Sequence, residues 1–220
     1  MNLNRYIDHT LLKPDAKKSD IEKICKEAID NEFATVCINP CNIENAKEFL
    51  KNSNVGITTV IGFPLGASTT QTKVFETQDA IQKGATEIDM VINIGNVKNQ
   101  EWNKILNEMI EIKNAAKNNI VKVILENCLL TKEEIVKCCN LAIEAKLDFV
   151  KTSTGFSTGG ATFGDVELMK KTVENKILIK AAGGVRTYDD AIKMIELGAL
   201  RLGTSGGVSI VNGQKNDKEY

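Results

Sequence analysis

A chain of 220 residues with 42% hydrophobic and 26% charged side chains has the make-up of one ordinary globular domain with a substantial core. A formal net charge of −1 excludes the basic footprint of a nucleic-acid binder, and no apolar run approaches the length of a membrane span. One histidine, six cysteines without a C-x-x-C pair and no secretory-type N-terminal segment lead us to expect a cytoplasmic protein with reduced thiols, no zinc and no cofactor.

The first apolar, β-branched run is RYIDHTLL (residues 5–12), with Asp8 set inside it. SDIEKICKEAIDN follows with Ile21, Ile24, Cys25, Ala28 and Ile29 on one helical face and Ser19 as its expected N-cap. FATVCINP (33–40) carries Cys37, GITTVIGFP (56–64) is the third run, and TEIDMVINIG (86–95) holds Asp89. NIVKVILEN (119–127) has Glu126 near its end, and TKEEIVKCCNLAIEA then pairs Thr131 with Glu134 in a capping box. LDFVKTST (147–154) contains Lys151 and KILIKAAGG (176–184) contains Lys180. YDDAIKMIELGA ends at Gly198, the expected residue just past a helix, and ALRLGTS (199–205) is the eighth run.

Eight strands alternating with about seven helices imply parallel βαβ units, either a closed barrel or an open doubly wound sheet. The count of eight favours the barrel, and no G-x-G-x-x-G follows the first strand to argue for a dinucleotide-binding sheet. The expected fold is a single-domain α/β (β/α)8 TIM barrel over residues 1–211, with a polar tail over 212–220. The outward helix faces show no decisive apolar patch, so a homo-oligomer stays open and no membrane partner is expected.

In such a barrel, function gathers at the C-terminal ends of the strands. The polar misfits there are Asp8, Cys37, Asp89, Glu126, Lys151 and Lys180. Strand alternation puts Lys151 on the face of Phe149 and Ser153, and Lys180 on the face of Leu178 and Ala182. If those faces line the interior, two lysines on adjacent strands share one small volume with Asp89 nearby. A lysine attacks a carbonyl only as the neutral amine, and moving its pKa from about 10.4 toward 7 costs about 4–5 kcal/mol. A second ammonium about 6 Å away repels it by roughly 3 kcal/mol at an effective dielectric near 20, and desolvation adds to this. The pair therefore fits a Schiff-base lysine beside an activating cation, although spacing alone does not choose between them. Glycine-rich turns follow strands six, seven and eight in TSTGF, AAGGV and LGTSGGV, with Ser205 placed to open a short helix. Converging turns of this kind suit a phosphate. A phosphosugar isomerase or synthase with Asp89 or Glu126 as base, and a phosphometabolite-binding barrel without turnover, are the competing readings.

The ordered motifs IDHTLLKP, ATVCINP, VIGFPLGA, EIDMVIN, FVKTSTGF, IKAAGGVR and RLGTSGG span nearly the whole chain. In them the sequence resembles the deoxyribose-phosphate aldolases, class I aldolases on a (β/α)8 barrel. The resemblance implies that Lys151 is the Schiff-base lysine, Lys180 the neighbouring cation and Asp89 a participant in proton transfer. It also implies that Cys37 is a pocket residue, that Asp8 and Thr154 line the substrate-hydroxyl end, and that Gly155, Gly183, Gly184, Gly203 and Ser205 form the phosphate site. The implied reaction is reversible cleavage of 2-deoxy-D-ribose 5-phosphate to D-glyceraldehyde 3-phosphate and acetaldehyde. Tyr220, the last residue, matches a terminal tyrosine that assists proton exchange in several members. Phe156 and Gly206 stand where some members carry a basic residue and a serine, which leaves phosphate affinity to backbone donors and Ser205, with Arg186 as a further candidate.

Overall fold

The computed structural model describes residues 2–215 as eight parallel strands in sequence order, closed on themselves by pairing of the last strand with the first. The strands are β1 (Ile7–Leu11), β2 (Thr35–Ile38), β3 (Gly56–Ile61), β4 (Glu87–Val91), β5 (Ile120–Ile124), β6 (Phe149–Lys151), β7 (Leu178–Ala182) and β8 (Arg201–Thr204). The helices are α1 (Lys18–Asp30), α2 (Ile43–Phe49), α3 (Thr70–Lys83), α4 (Ile94–Lys98), α5 (Trp102–Ala116), α6 (Lys132–Glu144), α7 (Phe163–Val173), α8 (Tyr188–Glu196) and α9 (Gly207–Val211). This is the expected (β/α)8 barrel. Among the described residues it has two helices more than periodicity suggested, and both α4 and α9 are five residues long, too short to show a period.

Alternation divides each strand between two environments. Ile88 and Met90 of β4, Val121 and Val123 of β5 and Val150 of β6 join Ile112, Ile135 and Met169 of the helices in one continuous apolar cluster. That layer between strands and helices is the core, and it stabilises by about 25 cal/mol for each Å² of apolar surface removed from water. The alternate residues, Glu87, Asp89, Lys122, Phe149 and Lys151 among them, face the barrel interior and are buried there. A small separate cluster of Leu12, Cys37 and Val60, with Phe63 against it, lines one side of the inner mouth.

Local chemistry explains the boundaries. Thr131 and Glu134 form the expected capping box of α6, and Gly198 follows α8 with a φ of +111°. Ser19 is not the cap of α1: the helix starts two residues earlier, with Lys17 at the N-cap and its N–H donating to Asp20 at 2.9 Å. β1 is shorter than RYIDHTLL because Leu3–Tyr6 form a 3-10 turn in which Asn2 accepts the Asn4 N–H. β6 stops at Lys151 because the chain then leaves the sheet, and the Thr154 N–H turns to the Glu126 carboxylate at 3.2 Å. Ser205 does not open α9. The Gly206 N–H is drawn back to the Thr204 hydroxyl at 3.1 Å, so Gly206 becomes the N-cap and the helix begins at Gly207. Tyr220 and the rest of the tail beyond residue 215 lie outside the described residues.

Candidate active site

Register brings the expected lysines side by side, with Lys151 on β6 directly opposite Lys180 on β7. Both ammonium nitrogens reach the same oxygen, Asp89 Oδ2, at 2.8 Å each. The three groups are buried, so nothing but one another and a few neighbours compensates their charge.

Around them runs a closed circuit of alternating charge. Lys180 Nζ lies 2.5 Å from Asp8 Oδ2, and Asp8 Oδ1 accepts from Arg201 Nη1. Arg201 Nη2 donates to Glu87 Oε1 at 2.9 Å, and Glu87 Oε2 lies 2.5 Å from Lys122 Nζ. Lys122 closes the ring by donating to Asp89 Oδ1 at 2.9 Å. Thr35 donates to Asp8 Oδ1 at 2.7 Å and Thr58 to Glu87 Oε2 at 3.3 Å, so the hydroxyls of β2 and β3 fill out the circuit. Three carboxylates and three cations balance one another in this ring. Lys151 is attached from outside it, as an additional cation that shares one carboxylate oxygen.

That asymmetry separates two lysines that look alike in the sequence. Burial alone would lower both. Lys180 lies between Asp8 and Asp89, which outweigh burial and hold its pKa above the ordinary lysine value. Burial pushes Lys151 down and Lys180 pushes it further, against the pulls of Asp89 and, more weakly, Cys37, and its pKa falls. Burial pushes the two carboxyls up, but Lys180, Arg201 and Lys122 around Asp8 and the three lysines around Asp89 hold both far into the ionised range. Cys37 stands on β2 within the field of the same lysines and carboxylates, and burial raises its thiol pKa, keeping it neutral. The arrangement can hold one amine unprotonated beside a fixed cation and a fixed carboxylate, which is what nucleophilic attack on a carbonyl needs.

At the mouth, Glu126 adopts a left-handed backbone (φ +58°) and turns its carboxylate to the β6 loop. It accepts both the Thr154 N–H and the Thr154 hydroxyl, whose oxygen in turn accepts the Phe156 N–H at 3.0 Å. Thr154 and Asp8, expected at the substrate-hydroxyl end, thus have their polar atoms engaged by protein groups, because the loop and the ring each need a fixed partner. Gly155, Gly183 and Gly184 all have positive φ, and a Cβ at Gly183 would lie 3.1 Å from Gly160 Cα and 3.6 Å from Gly155 Cα. Gly203 sits in β8 beside Ala182 in register, with Ser205 just past the strand end, so the three glycine turns are neighbours. Phe156 packs its ring edge against Phe63 at 5.2 Å between centroids.

The structure therefore gathers Asp8, Cys37, Asp89, Lys151 and Lys180 in one interior and the expected glycines at its rim. Sequence reasoning missed Lys122, Glu87 and Arg201, and it missed Gly160, where a Cβ would come within 2.5 Å of Gly183 C and O. Lys122 carried a signal, since it interrupts NIVKVILEN as Lys151 interrupts its own strand. Among the described residues, no cluster of three histidine, cysteine or acidic side chains is disposed to hold a metal ion.

A (β/α)8 barrel whose interior sets a buried lysine against a carboxylate and a second lysine has the architecture of a barrel enzyme. The model of the DeoC/LacD family aldolases matches residues 3–213. The chain is 60% identical over 220 residues to a deoxyribose-phosphate aldolase of Mycoplasma capricolum, covering 100% of this chain and 99% of that one. It is 54% identical over 215 residues to one from Brevibacillus brevis, covering 98% and 97% of the two chains. The solved structure of the tetrameric deoxyribose phosphate aldolase from Aeropyrum pernix superposes with a TM-score of 0.89 at 31% identity, covering 96% of this chain and 89% of that one. The chain belongs to the DeoC/LacD aldolase family and, within it, to the deoxyribose-phosphate aldolases.

Proposed function

We propose that this enzyme cleaves 2-deoxy-D-ribose 5-phosphate reversibly to D-glyceraldehyde 3-phosphate and acetaldehyde, with Lys151 as the Schiff-base residue. The observation that carries the assignment is the unequal pairing of the two lysines: Lys180 has two carboxylates, whereas Lys151 shares one oxygen of one. The neutral Lys151 amine adds to the open-chain C1 aldehyde, and the carbinolamine loses water to give an iminium. Removal of the proton from the C3 hydroxyl lets the C2–C3 bond break, its electron pair passing to the iminium as an enamine while glyceraldehyde 3-phosphate leaves. Protonation of the enamine carbon and hydrolysis by water release acetaldehyde and restore the amine. Asp89 moves protons through water in these steps, and Lys180 stays charged throughout.

Cys37 contributes a neutral pocket wall. Asp8 and Thr154 act at the hydroxyl end through the groups they hold, Lys180 and the β6 loop. Gly155, Gly183, Gly184, Gly203 and Ser205 receive the phosphate, chiefly through backbone N–H groups that come close where no Cβ intervenes. Tyr220 is proposed, from family resemblance, to assist proton exchange at the enamine. Glu126 is poorly suited to be the base of an isomerase because its carboxylate is committed to Thr154. Among the described residues no helix is long and apolar enough to cross a membrane. A cytoplasmic setting in deoxyribonucleotide catabolism is part of this reading, from family resemblance. Self-association like that of the Aeropyrum pernix relative is part of this reading, and a solution mass above the 24.1 kDa of one chain checks it.

Borohydride added with substrate, followed by peptide mapping, tests the assignment. The expected adduct is on Lys151. An unmodified Lys151, or an adduct confined to Lys180, overturns it.

A further inference from the structure

His9 is a buried polar ring for which the proposed chemistry has no step. In β1 it alternates with Asp8: Asp8 enters the barrel, and His9 turns the other way, toward α1 and the start of α9. Its Nε2 edge meets the Glu27 carboxylate of α1 at 2.8 Å, and its ring packs against the Phe33 ring with centroids 5.2 Å apart. Those contacts turn the Nδ1 edge to Gly207, where a Cβ would lie 3.0 Å from Nδ1, 3.0 Å from Ile7 Cγ2 and 3.1 Å from Phe33 Cε2. Nδ1 is buried and has no hydrogen-bond partner among the described residues. An unpaired buried nitrogen costs stability that an apolar ring would not. What the imidazole adds over an apolar ring is the bond to Glu27, which fixes the plane on which Gly207 rests.

Gly207 opens α9, two residues after Ser205. The turn between them is anchored on its other side by Thr204. That hydroxyl accepts the Gly206 N–H at 3.1 Å and donates at 3.3 Å to the carbonyl of Val185, next in the chain to the β7 glycines. Register pairs His9 with Thr204, so both anchors act on the same turn.

We propose that His9 is a positioning residue for phosphate recognition: clamped by Glu27, its ring sets how far Gly207 stands off β1 and so where Ser205 stands at the rim. The inference rests on the aldolase reading above and deepens it. A turn displaced by a few tenths of an ångström weakens its hold on a phosphate, whereas Lys151, Lys180 and Asp89 lie on other strands and keep their places. The effect therefore falls on binding of a phosphorylated substrate and not on iminium formation.

Three variants test it. Gly207→Ala leaves β1 intact and pushes a methyl group at His9, Ile7 and Phe33. Its KM for deoxyribose 5-phosphate is expected to rise about three- to tenfold, with kcat within about twofold of the parent. Glu27→Ala, at the partly exposed end of the clamp, frees the ring without touching the core and is expected to raise KM about two- to threefold. In Gly207→Ala with His9→Ala the added methyl enters the space the ring vacates, so KM should lie below that of Gly207→Ala alone. Borohydride trapping of acetaldehyde on Lys151, which needs no phosphate site, should run at the parent rate in all three. A parent-like KM in folded Gly207→Ala or in Glu27→Ala overturns the proposal, as does a loss of acetaldehyde trapping equal to the loss with deoxyribose 5-phosphate. A double variant no better than Gly207→Ala overturns it too, and if Gly207→Ala does not fold, Glu27→Ala carries the test alone. Trapping on the parent separates the two levels. With the adduct on Lys151 and parent-like variants, only the role of His9 fails; with no adduct on Lys151, the aldolase reading fails and takes this inference with it.

Discussion

Replacing Lys180 with methionine removes a charge while keeping most of the side-chain volume. Both lysine nitrogens lie 2.8 Å from Asp89 Oδ2, so they are no more than about 5.6 Å apart. At an effective dielectric near 20, two unit charges at that separation repel by about 3 kcal/mol, which corresponds to roughly 2 pKa units. Lys180 also shares the charge of Asp89, and its loss leaves that carboxylate to act more strongly on Lys151. Both effects have the same sign: the Lys151 pKa rises. Only the neutral amine attacks, so activity grows as pH climbs through that pKa, and a higher value moves the acid limb of kcat/KM upward. Below the limb, a rise of roughly 2 units leaves about 100-fold less neutral amine. The assay is kcat/KM for deoxyribose 5-phosphate across pH, with the rate of borohydride trapping as a second readout that does not depend on cleavage. An acid limb that stays in place while turnover falls would refute the electrostatic reasoning and leave Lys180 with a role in proton transfer alone.

Because the ring is balanced without Lys151, the Lys151→Met variant should lose turnover but unfold in urea at the same or a higher concentration than the parent. Lys180→Met should instead lose about 3–5 kcal/mol, since it leaves Asp8 and part of Asp89 without a buried cation. A Lys151→Met protein less stable than Lys180→Met would contradict this account of the charges. For the rim, Gly160→Ala places a methyl group against the Gly183 carbonyl, to which the Ala161 N–H donates at 2.7 Å. Shifting those loops should raise KM for the phosphorylated substrate by about tenfold, on the order of 1.4 kcal/mol, and leave trapping of an unphosphorylated aldehyde little changed. Equal losses for both substrates would place Gly160 outside the phosphate loops.

The eight runs announced themselves because strand alternation, helix periodicity and caps such as Thr131 with Glu134 are local properties. Their interactions lie within a few residues in the chain. Where a boundary depended on a single long-range bond, reading the sequence failed. Thr154 leaves the sheet for Glu126, 28 residues away, a preference not written in the local pattern. At α9 the deciding bond is a local one, from the Gly206 N–H to the Thr204 hydroxyl, which competed with Ser205 as the start of the helix. The short helices α4 and α9 span too little more than one turn to repeat anything.

The site divides in the same way. Lys151 and Lys180 stood out in the sequence because each interrupts a buried strand, and the spacing of residues in a pleated strand put both on one face. Glu87 and Arg201 open their strands, where a charged residue ordinarily reaches solvent, and Lys122 stands in the middle of β5. Their inward placement follows only from closure, which sets β4, β5, β8 and β1 around one axis, buries Glu87 and Lys122 and leaves Arg201 only slightly exposed. The sequence by itself determined the barrel and the two candidate amines. Tertiary structure made their surroundings unequal, because the carboxylates that meet each lysine arrive from strands as much as 172 residues away in the chain, as Asp8 does for Lys180.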